Sequence, residues 1–565
     1  MGPRMLVICL VLASTKFSEA NASEAQVSAL DSKAIFDALD QELTRTRAMR
    51  LESYPPPYFV AFAVEDMQSV DVIARFGEVS RSESQTSRPI HVEVRVGDYA
   101  FDNTAGAGET SDLYDLTYTA PRLGPLVFEP RALRSAFWLL ADEQYKGATS
   151  VFLKKKGARA YQIDPSDKDG CFTRERPRTD DRPVPALAWN EGNESALAKK
   201  LSRTLGKDSH VFDSTVALSA QRRHRFFASS EGARLAFGRV IYAVQLSAMT
   251  RAKDGILLES SRAFYAGSRD RLPNEAALET EAKDLAGDLK ALAAAPMIDP
   301  YTGPAILAPE AAGVLFHEAL GHRLEGERQK DSGDGQTFKG QIGQRILPAF
   351  LDVIDDPTIM ASGDHDLNGH YLYDEEGVPA ERVTLVEKGL LRSFLLSRTP
   401  VEGFSRSNGH GRAETGQKPQ ARMGTTIVNA RTTVSDQELR RMLIEEAKKQ
   451  GKPYGLILRD VSGGQTSTET GGYQAFKGAP RMVFTVDVKT GEEKLVRGVE
   501  IVGTPLSALA RIIAAGNTPK VFNGYCGAES GYVPVSTIAP ALLLSEIELQ
   551  RSSKERQRAP LLPRP

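Results

Sequence analysis

The stretch HEALGH, residues 317–322, sets His317 and His322 on either side of Glu318. Imidazole nitrogens are common ligands of Zn²⁺, and a glutamate beside such a ligand can act as a general base toward a metal-activated water. The chain has only 8 histidines among 565 residues, so a chance match to H-E-x-x-x-H has an expected count of about 0.01. The stretch therefore predicts a zinc hydrolase.

The spacing of these two histidines differs from that of the familiar H-E-x-x-H. At about 100° per residue, side chains five positions apart diverge by roughly 140° on a regular α-helix. A shared metal ion therefore requires either a widened i to i+5 turn or a break after Leu320, and Gly321 would ease both distortions. The alternative is an ordinary amphipathic helix whose histidines face the core and the solvent separately.

A third ligand is expected, because tetrahedral catalytic zinc takes three protein ligands and leaves one position for water. The chain has three cysteines, Cys9, Cys171 and Cys526. Cys526 lies in NGYCGAESG, residues 523–531, where flanking glycines would let a tight turn present its thiolate to a metal. The alternatives for Cys526 are a buried free thiol and a disulfide to Cys171. Spare candidates for a ligand or an oxyanion-stabilising group are His365, His370 and His410.

The surroundings of the motif resemble a known family. Residues 309–326, PEAAGVLFHEALGHRLEG, are similar to the metal-binding helix of the TldD/PmbA family of zinc-dependent peptidases. Later blocks agree with that family in the same order: DEEGVP (374–379), VEKGLL (386–391), NGHGRAE (408–414), ARM (421–423), YCG (525–527) and VPV (533–535). The resemblance covers roughly residues 300 to 550.

The resemblance implies a site and an activity. In that family the two histidines of H-E-x-x-x-H and a distant cysteine bind zinc, and the glutamate is the catalytic base. Carried over, His317, His322 and Cys526 would be the ligands of Zn²⁺, and Glu318 would be the base. The chain carries the motif and so resembles the catalytic, TldD-type subunit. The implied substrate is a peptide or an unfolded protein.

Two expectations accompany that activity. The resemblance implies a dimer, either a homodimer or a heterodimer with a paralogue that lacks the motif. The competing function is that of a non-catalytic binding or assembly subunit with a structural zinc. Retention of Glu318 favours the enzyme, because a structural zinc site has no use for a base beside its ligand.

The first 22 residues have the pattern of a secretory signal peptide. Arg4 supplies positive charge, residues 5–13 (MLVICLVLA) form a short apolar core, and residues 20–22 (ANA) form an A-x-A cleavage site. This core is well short of the ~20 residues that span a bilayer. We therefore predict cleavage after Ala22, with Ala20 as a second possible position, and an exported protein, periplasmic or secreted, without stable membrane insertion.

Composition is that of a globular enzyme, with 41% hydrophobic and 25% charged residues. A formal net charge of −2 disfavours nucleic-acid binding through a phosphate-tracking surface. Helical and strand patterns interleave without regular βαβ spacing, so the predicted class is α+β. We expect an N-terminal α/β region followed by a mixed, strand-rich C-terminal domain that carries the metal-binding helix.

The predicted domain organisation follows from composition shifts and turn signals. After the signal peptide we expect a TldD/PmbA-like N-terminal domain over 23–298 with a polar insertion near 161–195, a metallopeptidase C-terminal domain over 299–552, and a polar, proline-rich tail over 553–565. Periodicity predicts helices over 30–50, 275–295 and 435–451. Alternation predicts strands over 59–64, 91–96, 240–246, 425–428, 455–459 and 482–489.

Overall fold

The computed structural model describes residues 31–51, 54–104, 122–159, 170–330, 335–466, 476–503 and 505–552. The predicted signal peptide over 1–22 and the predicted tail over 553–565 lie outside these residues. In the part of the chain so described, no helix has the length and apolar character needed to cross a membrane.

Side-chain caps begin several of the helices. Asp31, Asn190, Asn274 and Ser435 each accept a hydrogen bond from a backbone amide of the following first turn. The α-helices are α1 (Ser32–Arg47), α2 (Pro130–Arg159), α3 (Glu191–Gly206), α4 (Glu275–Ala294), α5 (Pro309–Ala319), α6 (Asp436–Lys449) and α7 (Pro505–Ala510). Short 3₁₀ helices occupy Arg269–Arg271, Gly321–Leu324 and Gly326–Gln329. The three predicted helices are confirmed as α1, α4 and α6.

The N-terminal half is built on one mixed sheet in which all but one of the pairings are antiparallel. Its strand order is β4-β3-β1-β6-β7-β5, with β2 paired to β1 and β8 paired to β7. The strands are β1 (Pro57–Arg75), β2 (Glu78–Ser87), β3 (Pro89–Val96), β4 (Arg122–Leu123), β5 (Thr179–Asp181), β6 (Asp213–Ser229), β7 (Arg234–Arg251) and β8 (Leu257–Ala266).

The two faces of this sheet have different neighbours, because successive side chains of a strand point to opposite faces. Even-numbered residues of β1 and β6, such as Phe62 and Phe226, lie in apolar cores formed with α1 to α4. Odd-numbered residues, such as Phe59 and Phe227, face the C-terminal half. There the ring of Tyr373 lies 5.4 Å from the ring of Phe237. The sheet is therefore covered by helices on one side and by the C-terminal half on the other.

The C-terminal half contains two larger sheets. In one, β18, β9, β25, β21 and β19 pair in succession and β19 pairs back to β18, so the strands close on themselves. The other has the order β14-β13-β10-β17-β24-β23. The strands are β9 (Tyr301–Leu307), β10 (Leu351–Asp355), β11 (Ala361–Ser362), β12 (His365–Asp366), β13 (Val383–Glu387), β14 (Leu390–Leu391), β15 (Gly411–Arg412), β16 (Gln420–Ala421), β17 (Thr425–Ala430), β18 (Tyr454–Thr466), β19 (Phe476–Asp487), β20 (Glu493–Val496), β21 (Val499–Gly503), β22 (Ile512–Ala515), β23 (Lys520–Ala528), β24 (Gly531–Ala539) and β25 (Leu542–Arg551).

Helix α5 lies between these two sheets. It contacts β18 of the closed sheet and β23 and β24 of the open one. Its apolar residues, including Leu315 and Phe316, belong to the largest buried core among the described residues. The sheets therefore fix the end of α5, where the HEALGH stretch lies, against the hairpin of β23 and β24.

The α+β class is confirmed, and the element boundaries show where pattern and structure differ. The polar insertion over 161–195 is not wholly a loop. It contains β5, and α3 begins at Glu191, where the Asn190 side chain accepts a hydrogen bond from the Asn193 amide. Capping explains this difference, because polar residues that suit a loop also suit the first turn of a helix. Residues 160–169 of the insertion lie outside the described part.

Candidate metal centre

The HEALGH stretch spans the end of a helix. Helix α5 ends at Ala319, the Leu320 amide donates to the Phe316 carbonyl, and a 3₁₀ helix begins at Gly321. Of the two predicted distortions, the break after Leu320 is therefore the one that forms. Gly321 has a packing reason as well, since a Cβ atom there would lie 2.0 Å from the Sδ atom of Met423. The tighter turn brings the second histidine back toward the first.

Three side chains converge at this helix end. The Nε2 atom of His317 lies 3.0 Å from the Sγ atom of Cys526, and the Nε2 atom of His322 lies 3.3 Å from the same sulfur. The two imidazole rings are nearly perpendicular, at 88°. All three side chains are buried, and their candidate ligand atoms lie within 4.8 Å of one another. The alternative in which the histidines face core and solvent separately is therefore wrong.

The donor set fits a tetrahedral zinc ion. Two imidazole nitrogens and a thiolate around Zn²⁺ would lie about 3.3–3.6 Å apart, given typical bond lengths. The separations of 3.0 and 3.3 Å to the sulfur are close to that range. Nitrogen and sulfur donors together favour Zn²⁺ over Mg²⁺ or Ca²⁺, which prefer oxygen ligands. Three protein ligands leave a fourth position for water.

The charges of the three side chains support one another. Burial alone would raise the pKa of the Cys526 thiol, but His317 and His322 hold it well below its usual range. Burial alone would lower the pKa of His322, but the charges of Glu325 and Cys526 raise it well above the ordinary value. These opposite shifts favour a thiolate at Cys526 beside protonated imidazoles, whose protons would leave when a metal binds.

Glu318 follows the first histidine directly. Burial raises the pKa of its carboxyl group, and the charges of His317 and His322 only partly oppose that rise. Its backbone carbonyl accepts a hydrogen bond of 3.0 Å from Nη1 of Arg323, which ties the helix end to the following turn. A raised pKa makes the carboxylate of a glutamate a better proton acceptor, as a general base requires.

The C-terminal half of the chain is similar to a known family of proteins. The model of the PmbA/TldA metallopeptidase C-terminal domain matches residues 300–551. A metalloprotease of Methanothermobacter thermautotrophicus is 30% identical over 351 residues, which are 60% of this chain and 71% of that protein. The chain belongs to the TldD/PmbA family.

Other members of the TldD/PmbA family match over shorter lengths. A metalloprotease of Methanocaldococcus jannaschii is 32% identical over 234 residues, 41% of this chain and 47% of that protein. A zinc metalloprotease TldD homolog of Saccharolobus solfataricus is 27% identical over 250 residues, 44% of this chain and 51% of that protein. The chain thus aligns to about half the length of these two relatives.

The fold also matches solved structures. TldE of Thermococcus kodakarensis superposes with a TM-score of 0.61 at 15% identity, covering 91% of this chain and all of that one. A Thermotoga maritima protein, solved as a candidate modulator of a DNA gyrase, gives a TM-score of 0.62, also at 15% identity. At this level of identity, the likeness shows a shared fold alone.

In this TldD/PmbA chain the second histidine has a carboxylate partner that the sequence pattern did not reveal. The Nδ1 atom of His322 lies 3.0 Å from Oε1 of Glu325. Arg328 donates to the other carboxylate oxygen at 2.7 Å. Burial would raise the pKa of Glu325, but His322 and Arg328 lower it to about 2. The carboxylate therefore holds the proton on Nδ1 and leaves Nε2 for a metal. Spacing i to i+3 from a ligand histidine is the one signal that points to it.

The candidate cysteine ligand lies in a strand, and the tight turn predicted around it is wrong. Cys526 is part of β23 and pairs with Val533 of β24, and the hairpin turns only after Ala528. Regular pairing prevails because Gly527 permits close approach, where a Cβ atom would meet the Tyr532 ring at 2.6 Å. Arg422 fixes the strand by donating to the Cys526 carbonyl at 2.7 Å.

The remaining candidates lie apart from the ligand set. Cys171 and Cys526 are both free thiols, so the alternative of a disulfide between them is wrong. His410 is buried beside Asp355, with Nε2 at 3.3 Å from the carboxylate, and Nδ1 of His370 lies 2.9 Å from the Pro357 carbonyl. Within the described ranges, the cluster able to hold a metal contains none of the spare candidates His365, His370 and His410.

Proposed function

We propose that this chain is a zinc-dependent peptidase that hydrolyses peptide bonds in unfolded or peptidic substrates. The observation that carries this proposal is the convergence of His317, His322 and Cys526 at the end of α5, with Glu318 beside the first ligand. Relatives named as metalloproteases, one of them a zinc metalloprotease, support it.

The side chains would divide the work as follows. His317 and His322 present Nε2, and Cys526 presents its thiolate, to the ion. When bound, Zn²⁺ supplies a Lewis acid that polarises a water and a scissile carbonyl. Glu318 accepts the proton of the attacking water and passes it to the leaving amine. Glu325 keeps His322 in the tautomer that offers Nε2.

The direct test compares two glutamates of one helix. Glu318→Gln should abolish cleavage of a mixed peptide library while zinc content stays at the wild-type level. Glu310→Gln is the matched control, because Glu310 lies in the first turn of α5 and pairs with Lys520 at the surface. Equal activity of the Glu318→Gln and wild-type proteins, with zinc retained in both, would instead support the non-catalytic subunit with a structural zinc.

Two further proposals concern the whole protein. We propose that the chain is exported after cleavage behind Ala22, supported by the pattern of residues 1–22. We also propose that it functions as a dimer, with itself or with a motif-less paralogue. The mass of the mature N-terminal peptide tests the first proposal, and light scattering of the purified protein tests the second. An intact residue 1 in the exported fraction, or a monomer at micromolar concentration with no co-purifying paralogue, would contradict them.

A further inference from the structure

An arginine pair lies on the face of the N-terminal sheet that meets the C-terminal half. Arg239 of β7 is directly opposite Arg223 of β6 in the antiparallel register. Like charges in such a position destabilise a strand pair unless other charges neutralise them. Arg223 has that neutralisation, since it donates to both oxygens of Glu65 and, at 2.9 Å, to Glu375.

Arg239 lacks any such partner. Among the described residues, no hydrogen bond or ion pair joins its guanidinium group to another side chain or to the backbone, and its Nη1 atom is buried without an acceptor. Glu375, whose charge acts to raise the pKa of Arg239, already accepts from Arg223, and Glu65 is shared by Arg223 and Arg225. Arg239 is half-buried, and a guanidinium nitrogen that is buried without an acceptor is costly, so the position favours binding of an anion.

A further arginine adds to the positive charge at this point. Burial and the charges of Arg412 and Arg223 lower the pKa of Arg239 to about 10. Arg412 is itself buried and donates to the backbone carbonyls of Met423 and Pro534 rather than to a carboxylate. Two of these three guanidinium groups therefore have no carboxylate partner among the described residues.

Contacts on two sides connect these arginines with the hairpin that contains Cys526. Tyr265 of β8 shares the sheet face of Arg239, and its ring lies 6.2 Å from the ring of Tyr525. Pro534, whose carbonyl accepts from Arg412, is the cross-strand partner of Tyr525. Tyr525 precedes Cys526, and neighbouring residues of a strand are about 3.3 Å apart. Because β23 is the edge strand of its sheet, a peptide lying along it could contact residues on both faces of the strand, the face of Tyr525 and the face of Cys526.

We propose that Arg239, with Arg412 beside it, binds a carboxylate of the peptide substrate. This inference rests on the proposed peptidase function, and it adds a preference for one chemical class of substrate. A guanidinium group pairs with a carboxylate through parallel N–H···O bonds, which gives direction as well as charge. Two groups of a peptide offer that chemistry, the C-terminal carboxylate and the side chain of Asp or Glu.

The test measures binding rather than turnover. Zinc-loaded full-length protein with Glu318→Gln is titrated with fluorescent peptides of one sequence that end in a free carboxylate or an amide, and that carry Glu or Gln inside. We expect a preference of about ten- to a hundredfold for one carboxylate form, the effect of a hydrogen-bonded charge. A preference for the free terminus assigns the C-terminal carboxylate, and a preference for Glu over Gln assigns the acidic side chain.

Substitution of the arginine completes the test. Arg239→Met, which keeps the stem and removes the charge, should abolish the preference, and Arg239→Lys should retain part of it. Arg75→Met is the matched control, because Arg75 lies on the same sheet and pairs with Asp213 at the surface. Two results would overturn the proposal: no carboxylate preference in the Glu318→Gln protein with Arg239 intact, or a preference that Arg239→Met leaves unchanged. The first result requires only the protein with Arg239 intact, so the proposal stays testable even if the Arg239→Met variant does not fold.

The outcome separates this inference from the proposed function. Hydrolysis by the wild-type protein without any carboxylate preference would contradict the anion site and support the peptidase function. A carboxylate preference in the Glu318→Gln protein, with no hydrolysis of any peptide by the zinc-loaded wild-type protein, would contradict the peptidase function and support the anion site.

Discussion

At the scale of single residues, the candidate metal centre depends on groups outside its three proposed ligands. His322 has two ring nitrogens, and only the carboxylate of Glu325 on Nδ1 decides that Nε2 faces Cys526. Arg328 and Arg422 in turn surround that carboxylate, at 2.7 and 3.4 Å. The ligand geometry is therefore set by a buried charge network around the turn after α5.

Removal of the Glu325 carboxylate should weaken the site without abolishing it. We expect Glu325→Ala to lower zinc affinity by about ten- to a hundredfold, because the imidazole loses its orienting partner. Glu325→Gln retains an acceptor for the Nδ1 proton and should recover most of the affinity. Competition with a chromophoric chelator measures this, with circular dichroism to show an intact fold and Glu310→Ala as control. Unchanged affinity in a folded Ala variant would rule out the orienting role.

At the scale of elements, the break at the end of α5 makes the five-residue spacing work. A regular helix would send the two histidines in different directions, and the turn at Gly321–Leu324 brings them together. The backbone of this turn packs tightly on Met423, which follows Arg422. Because Arg422 donates to the Cys526 carbonyl, the end of α5, this turn and β23 are held together.

Crowding of this turn should be costly. Gly321→Ala places a Cβ atom 2.0 Å from Sδ of Met423, so we expect a loss of about 1–3 kcal/mol in the free energy of unfolding and weaker zinc binding. Met423→Ala in the same chain should recover part of the zinc binding. Gly287→Ala in α4 is the control, because nothing lies within 4 Å of a Cβ atom there. Denaturation of the four proteins measures the effect, and an unperturbed Gly321→Ala protein would contradict it.

The sequence predicts elements well where the pattern is local. Local periodicity predicts helix α6, and the angular spacing of two histidines predicts either a widened turn or a break after Leu320, of which the break is present. The predicted strand over 59–64 ends at residue 64 because Glu65 and Asp66 look like solvent-facing residues in sequence. In the structure, β1 continues to Arg75. Both carboxylates are buried there and paired with Arg223 and Arg222 of β6. Such pairing is a tertiary property that periodicity does not contain.

The same limit applies to the site. The ligand set follows from a motif and a family resemblance, because both concern residue types at a fixed spacing. The roles of Glu325, Arg422 and Arg239 depend on which strands and turns lie side by side, and no local pattern records this. Helix α2 was also not predicted, although it has 30 residues. Its lysine- and glycine-containing C-terminal part weakens the apolar periodicity on which such predictions rest.

At the scale of the whole molecule, a buried ionic cluster joins the two halves. Glu65 of the N-terminal sheet accepts from Arg223, Arg225 and Thr415, and Arg223 reaches Glu375 of the C-terminal half. Burial would raise the pKa of Glu65, but Arg223 and Arg225 lower it to about 2. The cluster therefore stabilises the packing of the C-terminal half on the sheet face that carries Arg223 and Arg239.

Loss of the Glu65 charge should destabilise the folded protein in a pH-dependent way. Glu65→Gln leaves two buried arginines short of a partner, so we expect a loss of about 3–5 kcal/mol in the free energy of unfolding at pH 7. The folded-state pKa lies below the unfolded one, so the stabilisation is complete above about pH 4.5 and disappears as pH falls toward 2. Chemical denaturation at pH 7 and pH 3 should show the difference from wild type shrinking, with Glu83→Gln as control. If the difference in the free energy of unfolding between wild type and Glu65→Gln were larger at pH 3 than at pH 7, a lowered pKa of Glu65 would be contradicted.

The measurement that tests the central claim most directly is the zinc content of the purified protein beside that of two cysteine variants. Elemental analysis under reducing conditions should give about one zinc per chain for the wild-type protein and for Cys171→Ala, whose sulfur lies beside Lys155 rather than the histidines. Cys526→Ala should lose that zinc while remaining folded. Stoichiometric zinc retained in Cys526→Ala, or absent from the wild-type protein after incubation with Zn²⁺, would contradict a metal centre built from His317, His322 and Cys526.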